Sequence, residues 1–263
     1  MSILRSWWLV PFALVTIVAL GGIGCNKPKD EKSTAEAKTD ATAKPKVVKL
    51  EIKDTVTGKG PGAAKGDLLA LKYSGKLANG KEFDSNLNTM PMHMYLGNGE
   101  VIKGWDDGLV GIKEGGKRSL SIPFDLAYGD RSTGPIPPKS DLFFEVECLG
   151  IIKAADLETV TITDLKKGSG PEVKEGNTVT VKFVGTILNG KKFDASSEYG
   201  GTYTFKVGAP TVISGFNAAV VGMRPGGKRK ARIPPRIGRN EMVSVMLPDK
   251  SIVEFEIDLL SVK

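Results

Sequence analysis

The sequence predicts an α+β protein made of two tandem copies of one unit, each an antiparallel β-sheet with one short α-helix. Three observations support this fold class. Several short phrases occur twice in the same order, apolar side chains alternate along the predicted strands, and one phrase in each copy has helical spacing. With 263 residues, of which 40% are hydrophobic, the chain can form a globular core in each copy.

The repeat can be read directly from the sequence. Residues 79–84 (NGKEFD) recur as 189–194 (NGKKFD), and residues 101–105 (VIKGW) recur as 212–216 (VISGF). The copies are offset by roughly 110 residues, which is the length of a domain and too long for a solenoid repeat. We therefore predict two domains, at residues 47–153 and 154–263.

Alternating apolar side chains predict the strands of each sheet. Leu69, Leu71 and Tyr73 alternate with Ala70 and Lys72, which is typical of a strand with one buried face. The second copy shows the same alternation at Val179, Val181 and Phe183. An Asn-Gly pair ends each stretch and predicts a hairpin turn, because both residues tolerate positive φ.

Apolar side chains with helical spacing predict the helix. Trp105, Leu109 and Ile112 lie at i, i+4 and i+7, so they share one helix face. The corresponding residues of the second copy are Phe216, Val220 and Met223. Asp106 and Asp107 fall in the first turn, where acidic side chains suit the helix dipole.

The first 46 residues do not resemble a folded domain. Arg5 precedes a short apolar stretch and then small residues before Cys25, which predicts a signal segment over residues 1–25 with a lipid on Cys25. A plain secretory signal or an uncleaved anchor is the alternative. Residues 26–46 contain no large apolar side chain and predict a disordered tether. Together these features predict a lipid-anchored, exported protein of the bacterial cell envelope, with a membrane as one partner.

Charge and residue counts exclude several kinds of site. The only histidine, His93, rules out a His-based metal site or a Ser/His/Asp triad, and we interpret it as a surface residue, so no metal is expected. The net charge of +7 includes the basic stretch 228–232. A solvated sheet face is favoured over nucleic-acid binding there, because no aromatic residues are interleaved. Cys148 lies in the stretch 143–149, which predicts a closing central strand.

The first copy has more aromatic and large apolar residues at predicted turns and element ends than a core needs. Its polar groups are few, namely Asp84, tyrosine hydroxyls and backbone N–H groups. An apolar pocket with a few placed polar groups is typical of a small-ligand or peptide site. Asp84 follows the predicted hairpin, so it could also be only a turn carboxylate.

Residues 47–153 resemble an FKBP-type peptidyl-prolyl isomerase domain. The resemblance rests on six motifs that occur in the order of the family: YSG at 73–75, NGKEFDS at 79–85, GEVIKGW at 99–105, LAYG at 126–129, IPP at 136–138 and LFFEV at 142–146. Residues 158–263 resemble the same family less closely. The resemblance implies a twisted antiparallel sheet half-wrapped around a short helix, with the active site between them and no cofactor.

The resemblance also implies roles for individual residues of the first copy. Trp105 would form the floor of a proline pocket, the Ile102 N–H would hold a substrate carbonyl, and Asp84 and Tyr128 would offer polar contacts. The walls would be formed by Tyr73, Phe83, Val101 and Phe144, with Ile136 in a loop that closes over the peptide. Met92 and Met94 stand where the family usually has aromatic residues, so the wall is expected to be softer.

The second copy retains apolar pocket residues but lacks several of the polar ones. It has no counterpart of Tyr128, and Phe183 replaces Tyr73 without the hydroxyl. We expect a degenerate pocket formed by Phe183, Phe193, Asp194, Tyr203, Phe205, Val212, Ile213, Phe216 and Phe255. This domain could bind unfolded chain, act as a spacer or retain weak activity.

The expected function is therefore an isomerase that acts on X-Pro bonds of exported proteins. The apolar pocket of the first domain would desolvate and twist the amide. Macrolide inhibitors are possible ligands, and nucleic acid is not an expected partner. The alternative is a peptide-binding module or chaperone that uses the same pockets without turnover.

Overall fold

The computed structural model describes residues 46–188 and 190–263. Their secondary structure consists of two antiparallel sheets and few helices, so the predicted fold class is confirmed. The predicted signal segment with Cys25, and all but the last residue of the predicted tether, lie outside the described residues. Among the described residues, no helix has the length and apolar character needed to cross a membrane.

Each domain contains six strands. Those of the first domain are β1 Glu51–Val56, β2 Leu68–Leu77, β3 Glu82–Ser85, β4 Met92–Tyr95, β5 Lys117–Ile122 and β6 Leu142–Ile152. Those of the second domain are β7 Thr161–Lys166, β8 Thr178–Ile187, β9 Lys192–Ala195, β10 Tyr203–Lys206, β11 Lys228–Ile233 and β12 Val253–Val262.

Both sheets have the same topology. The first has the order β1-β5-β6-β2, and both β3 and β4 pair with the remaining edge of β2. The second has the order β7-β11-β12-β8, where β9 and β10 pair with β8 in the same way. The long closing strands β6 and β12 are therefore central.

Each sheet packs against a helix that is shorter than the sequence predicts. Helix α1 spans Lys103–Gly108 and α2 spans Ser214–Val220. Ile112 and Met223 follow these helices in turns, yet both are buried in the cores. Gly104 lets α1 approach β5 closely, because an added Cβ would lie 2.3 Å from Ile122 Cγ2. A third helix, α3 Glu241–Met246, was not predicted and has no counterpart in the first domain.

A buried arginine connects helix and sheet in each domain. Arg118 on β5 is paired with Asp54 on β1, and its Nη1 donates to the carbonyls of Gly108 and Val110, both at 2.8 Å. Arg229 is paired with Asp164 and donates to the carbonyls of Ala219 and Val221 in the same way. Each arginine satisfies carbonyl groups at the end of a short helix that have no intrahelical partner.

The second domain covers part of the outer face of the first sheet. Leu68 and Ala70 on β2 point away from the first core and are fully buried against an interdomain cluster. The other buried members of this cluster are Ile152, Leu157, Leu188 and Ile252. Beside it, Glu114 of the first domain forms a bidentate ion pair with Arg232 of the second, with both N–O distances 2.8 Å.

This contact explains why the interpretation of His93 as a surface residue is wrong. His93 is paired with Ala70 across β4 and β2, so its side chain lies on the face that carries the interdomain cluster. Its ring nitrogens are buried, and burial lowers the pKa of the imidazole to about 4. Cys148 is fully buried, and burial raises the pKa of its thiol to about 12.

The basic stretch 228–232 lies on β11 beside the acidic side chains of β12. Lys228 is paired with Glu256, and Lys230 Nζ lies 3.0 Å from a carboxylate oxygen of Glu254. Arg232 binds Glu254 as well as Glu114. These carboxylates compensate the positive charge of the strand within the protein itself.

Candidate functional site

The first domain has a pocket between its sheet and the start of α1, with a volume of about 230 Å³. Residues from β2, β3, β4, β6, the start of α1 and the preceding loop surround it, together with one residue from the loop between β5 and β6. This first pocket is lined by Tyr73, Phe83, Asp84, Met92, Glu100, Val101, Ile102, Trp105, Tyr128 and Phe144. Nine of these ten residues were predicted from the sequence.

Aromatic rings packed edge to face form the floor and one wall of the first pocket. The Trp105 ring lies 5.1 Å from that of Tyr73 and 5.2 Å from that of Phe144, at interplanar angles of 87° and 85°. Phe83 packs against Phe144 at 5.6 Å and 90°. Aromatic pairs prefer this arrangement, because the positive ring edge meets the negative face of the neighbour. The indole Nε1 of Trp105 is buried with no protein acceptor among the described residues.

A hydrogen-bonded Tyr–Asp pair lies on the wall of the pocket. The Tyr73 hydroxyl donates to Asp84 Oδ2 at 2.6 Å. Burial raises the pKa of Tyr73, and the hydrogen bond to the Asp84 carboxylate raises it further. The tyrosine therefore stays a neutral donor at physiological pH and fixes the carboxylate beside the aromatic floor.

Tyr128 reaches the pocket from the loop between β5 and β6. Its side chain is 37% exposed. Asp141 holds the two ends of this loop together, since its carboxylate accepts from the backbone N–H of Phe124 at 3.0 Å. The same carboxylate accepts from the N–H of Val47, before β1, at 2.8 Å. The loop is thus anchored while the tyrosine hydroxyl stays accessible at the pocket mouth.

The chain turns into α1 at Ile102, which lines the pocket. Its φ of −59° and ψ of 146° are extended, and its carbonyl accepts from the Trp105 N–H at 2.9 Å. We find no acceptor for the Ile102 N–H among the described residues. A backbone donor beside an apolar floor could bind a carbonyl oxygen of a ligand.

Asp106 fixes the loop that precedes these residues. This buried carboxylate accepts from the N–H groups of Gly97 and Gly99 at 2.8 and 3.0 Å. The sequence suggested only an interaction with the helix dipole. In the second domain Asn217 has the equivalent position and accepts from the Gly208 N–H at 2.8 Å.

Two predicted wall residues do not line the first pocket. Met94 is 1% exposed and belongs to the core. It lies two residues further along β4 than Met92, on the same face of the strand. Ile136 is 4% exposed and packs in the core beneath its loop, where its N–H and carbonyl pair with Thr133. Glu100 lines the pocket but was not predicted.

The second domain has the corresponding pocket, with a volume of only about 60 Å³. This second pocket is lined by Phe183, Phe193, Asp194, Tyr199, Tyr203, Thr211, Val212, Ile213, Phe216, Asn240, Val243 and Phe255. Of the predicted set, only Phe205 is not in the lining. It is buried behind the pocket, stacked on Tyr203 with ring centroids 5.6 Å apart.

A tyrosine from another element replaces the hydroxyl that Phe183 lacks. Tyr199 lies in a short 3-10 helix, Ser196–Tyr199, and lines the pocket together with Asp194. Burial raises the pKa of Asp194, and a hydrogen bond from Tyr199 opposes that shift. The second pocket therefore keeps a tyrosine hydroxyl that acts on Asp194, although Phe183 itself lacks the hydroxyl of Tyr73.

Helix α3 closes the second pocket. Asn240 caps this helix by accepting from the Val243 N–H at 2.9 Å, and both residues line the pocket. Arg239 fastens the far end of the helix by donating to the carbonyls of Leu247 and Pro248 at 3.0 and 2.8 Å. The first domain has the loop with Tyr128 at the corresponding place, which leaves its pocket larger.

Comparison with known proteins identifies both domains. The family model described as FKBP-type peptidyl-prolyl cis-trans isomerase matches residues 60–149 and again residues 170–260. FK506-binding protein 4 of Emericella nidulans is 48% identical over 127 residues, which cover 48% of this chain. Peptidyl-prolyl cis-trans isomerase FKBP10 of Homo sapiens is 35% identical over 202 residues, or 75% of this chain. The crystal structure of AtFKBP13 is 46% identical, covers 39% of this chain and 93% of its own, and has a TM-score of 0.38.

The curated relatives also correct the expected location. They include fungal and mammalian proteins, such as FK506-binding protein 4 of Saccharomyces cerevisiae. The expectation of a lipid-anchored protein of the bacterial cell envelope is therefore wrong, and the predicted signal, lipid on Cys25 and membrane partner find no support. The matched region covers 26% of the Emericella protein and 34% of the human protein.

Proposed function

Because the chain belongs to the FKBP-type peptidyl-prolyl cis-trans isomerase family, we propose that its first pocket catalyses isomerisation of X-Pro bonds in protein clients. The observation that carries the proposal is the open aromatic pocket over Trp105, which combines an apolar floor with the Tyr73–Asp84 pair, Tyr128 and the Ile102 N–H. The match of the family model confirms the family expected from the sequence.

The physical basis of catalysis lies in how the amide changes charge during rotation. Rotation about a peptide bond has a barrier of about 18–20 kcal/mol, since the planar amide is stabilised by resonance. At the twisted geometry that resonance is lost and the charge separation of the amide falls. An apolar pocket therefore favours the twisted amide over the planar one, which lowers the barrier.

The polar groups of the first pocket have positioning roles in this proposal. The Ile102 N–H binds the carbonyl of the substrate and holds the chain on one side of the bond that rotates. Trp105 and Phe144 enclose the prolyl ring, and the Tyr73 hydroxyl keeps Asp84 in place at the wall. Tyr128 donates to the substrate from the pocket mouth. No proton transfer or covalent intermediate is required.

The first pocket is also proposed to bind a macrolide. Several relatives bear the name FK506-binding protein. We expect this chain to bind FK506 at the first pocket, with Met92 as a more adaptable wall than an aromatic ring would be. The second pocket, at about 60 Å³ against about 230 Å³, is proposed not to turn over prolyl peptides.

The experiment is a comparison of matched variants in the full chain. Isomerisation of a short X-Pro peptide is measured for the wild type, Trp105→Ala and Tyr128→Phe, with Phe216→Ala as the control in the second domain. We expect at least a tenfold loss for the first two, since about 1.4 kcal/mol of lost transition-state stabilisation gives a factor of ten. Phe216→Ala keeps the activity.

Circular dichroism separates lost chemistry from lost structure. Trp105 is buried, so its truncation costs about 3–5 kcal/mol and could unfold the domain. Tyr128 is exposed at the pocket mouth, so Tyr128→Phe removes one hydroxyl and leaves the core intact. A folded wild type that binds the peptide without turning it over would contradict the proposal and support a peptide-binding module.

A further inference from the structure

A residue of the second domain lies at the rim of the first pocket. Lys250 follows α3, and its Nζ lies 2.7 Å from Glu100 Oε2. Glu100 lines the first pocket and immediately precedes Val101 and Ile102. The electrostatic environment of the first pocket is therefore completed by the other domain.

Lys250 is held in position by its backbone. It has a φ of +64°, in the left-handed region that non-glycine residues seldom adopt. The turn around it is closed by Ser251, which donates to the Pro248 carbonyl through both its N–H and its hydroxyl. The next residue, Ile252, is fully buried in the interdomain cluster. The turn is thus fixed between α3 and the domain interface.

Glu100 is held from two sides. The same carboxylate oxygen that faces Lys250 accepts from the Tyr95 N–H at 3.3 Å. The Lys250 ammonium also lies 5.6 Å from the centroid of the Tyr95 ring, within the range of a cation–π interaction. The arrangement keeps the carboxylate and its counter-charge together at the rim.

Two carboxylates line the first pocket, Asp84 and Glu100. Without a counter-charge, they would attract basic residues next to the substrate proline and repel acidic ones. Resting on the proposed function of this pocket, we propose that Lys250 is a specificity-determining residue. By neutralising Glu100, it allows the pocket to accept clients with acidic or neutral residues beside the proline.

The size of the effect follows from the exposure of the pair. The side chains of Lys250 and Glu100 are 37% and 27% exposed, so solvent screens them in part. One uncompensated charge at 4–8 Å in water changes the binding of a charged side chain by about two- to fivefold. A change of this size can alter which charged clients bind most tightly. Peptides with a neutral residue beside the proline should bind as before, because they carry no charge there.

The test uses the full chain and peptides that differ only in one residue beside the proline. Lys, Gln and Glu are placed before the proline in one series and after it in another. The dissociation constants are measured by fluorescence anisotropy and kcat/KM by isomerisation. The variants are Lys250→Gln, Lys250→Gly, which suits the left-handed backbone, and Glu100→Gln. Lys117→Gln, which removes another lysine paired with a glutamate in the first domain, is the matched control.

Variants of Lys250 and of Glu100 are expected to shift the charge preference of the pocket in opposite directions. Relative to the Gln peptide, Lys250→Gln and Lys250→Gly both strengthen binding of the Lys peptide and weaken binding of the Glu peptide, each by about two- to fivefold, and added salt weakens both changes. Glu100→Gln shifts the preference toward the Glu peptide, and Lys117→Gln leaves it unchanged.

Other outcomes overturn the inference. An unchanged preference in both series would do so, and so would an equal loss of affinity for all three peptides, which indicates a structural role only. Absence of turnover in the wild type would refute the proposed function alone, because the dissociation constants still measure the charge preference.

Discussion

Each pocket is floored by an aromatic residue in the first turn of a short helix, Trp105 in the first domain and Phe216 in the second. The volumes nevertheless differ, about 230 Å³ against about 60 Å³. The difference arises in the loops, because α3 and Tyr199 enter the second pocket from segments that have another structure in the first domain. The shared sheet and helix preserve a site, and the connecting loops decide whether it stays open.

The largest effect is expected where the two domains are most alike. Arg118→Met and Arg229→Met each leave one buried and one partly buried carbonyl group without its donor. We expect each variant to lose about 2–4 kcal/mol of unfolding free energy, since an unsatisfied buried carbonyl costs about 1–3 kcal/mol. The partners Asp54 and Asp164 are nearly half exposed and contribute less. Urea unfolding monitored by circular dichroism measures both variants against the wild type.

The same arginine–aspartate pairs make the free energy of unfolding depend on pH in the acidic range. Hydrogen bonds from Arg118 and Arg229 lower the pKa values of Asp54 and Asp164. A lowered folded pKa gives stability that is present above the unfolded value of about 4 and is lost as pH falls through the folded value. Each arginine variant should lose part of this acid dependence. If one variant costs far less than the other, the two scaffolds are not equivalent.

A smaller effect tests two residues that look interchangeable. Asp106 accepts from two N–H groups, whereas Asn217 accepts from one and donates to the carbonyls of Ala209 and Val212. Asp106→Asn would place a side-chain NH2 against one of the two N–H groups. Asn217→Asp would place a carboxylate oxygen against the two carbonyl oxygens. We expect each to cost about 1–3 kcal/mol in urea unfolding.

Asp107→Asn is the matched control for this exchange. Asp107 lies beside Asp106 in sequence but forms only an exposed ion pair with Lys103, so its loss should cost about 0.3–0.5 kcal/mol. Equal costs at Asp106 and Asp107 would show that the loop does not depend on the buried carboxylate.

Local sequence patterns predicted the strands, hairpin turns and helix that both domains share. The period of two along β2 and β8, the Asn-Gly pairs and the spacing around Trp105 reflect local rules, so they predicted strands, hairpins and the helix of both domains. The roles of the residues that line the first pocket were implied by the family resemblance, and nine of its ten lining residues were named from the sequence. Alternation placed Met92 and Met94 on one face but could not say where along β4 the pocket ends and the core begins.

The features that escaped prediction depend on contacts between distant segments. The outer face of β2 is buried only because the second domain covers it, and the continuous apolar run 68–71 was the available signal. For α3 the signal was Asn240 before an apolar stretch, which fits an N-cap. Tyr199 has no counterpart in the first copy, so comparison of the copies could not reveal that its hydroxyl acts on the pKa of Asp194.

A modest effect on turnover tests the first Tyr–Asp pair. Tyr73→Phe removes the 2.6 Å bond to Asp84 and leaves the ring in place. We expect kcat/KM for an X-Pro peptide to fall about fivefold, the equivalent of about 1 kcal/mol for one hydrogen bond. Circular dichroism checks the fold. Unchanged kinetics would mean that the orientation of Asp84 does not matter for the reaction.

The smallest effect concerns the second Tyr–Asp pair. Burial raises the pKa of Asp194, and the hydrogen bond from Tyr199 holds that rise in check. Tyr199→Phe should therefore raise the pKa of Asp194 further, which carboxyl chemical shifts in an NMR titration would report. A raised folded pKa means that stability is lost as pH rises through it, opposite in sign to Asp54 and Asp164. A lower pKa in Tyr199→Phe would contradict this, because it would mean that α3 and the 3-10 helix open the pocket to water once the hydroxyl is gone.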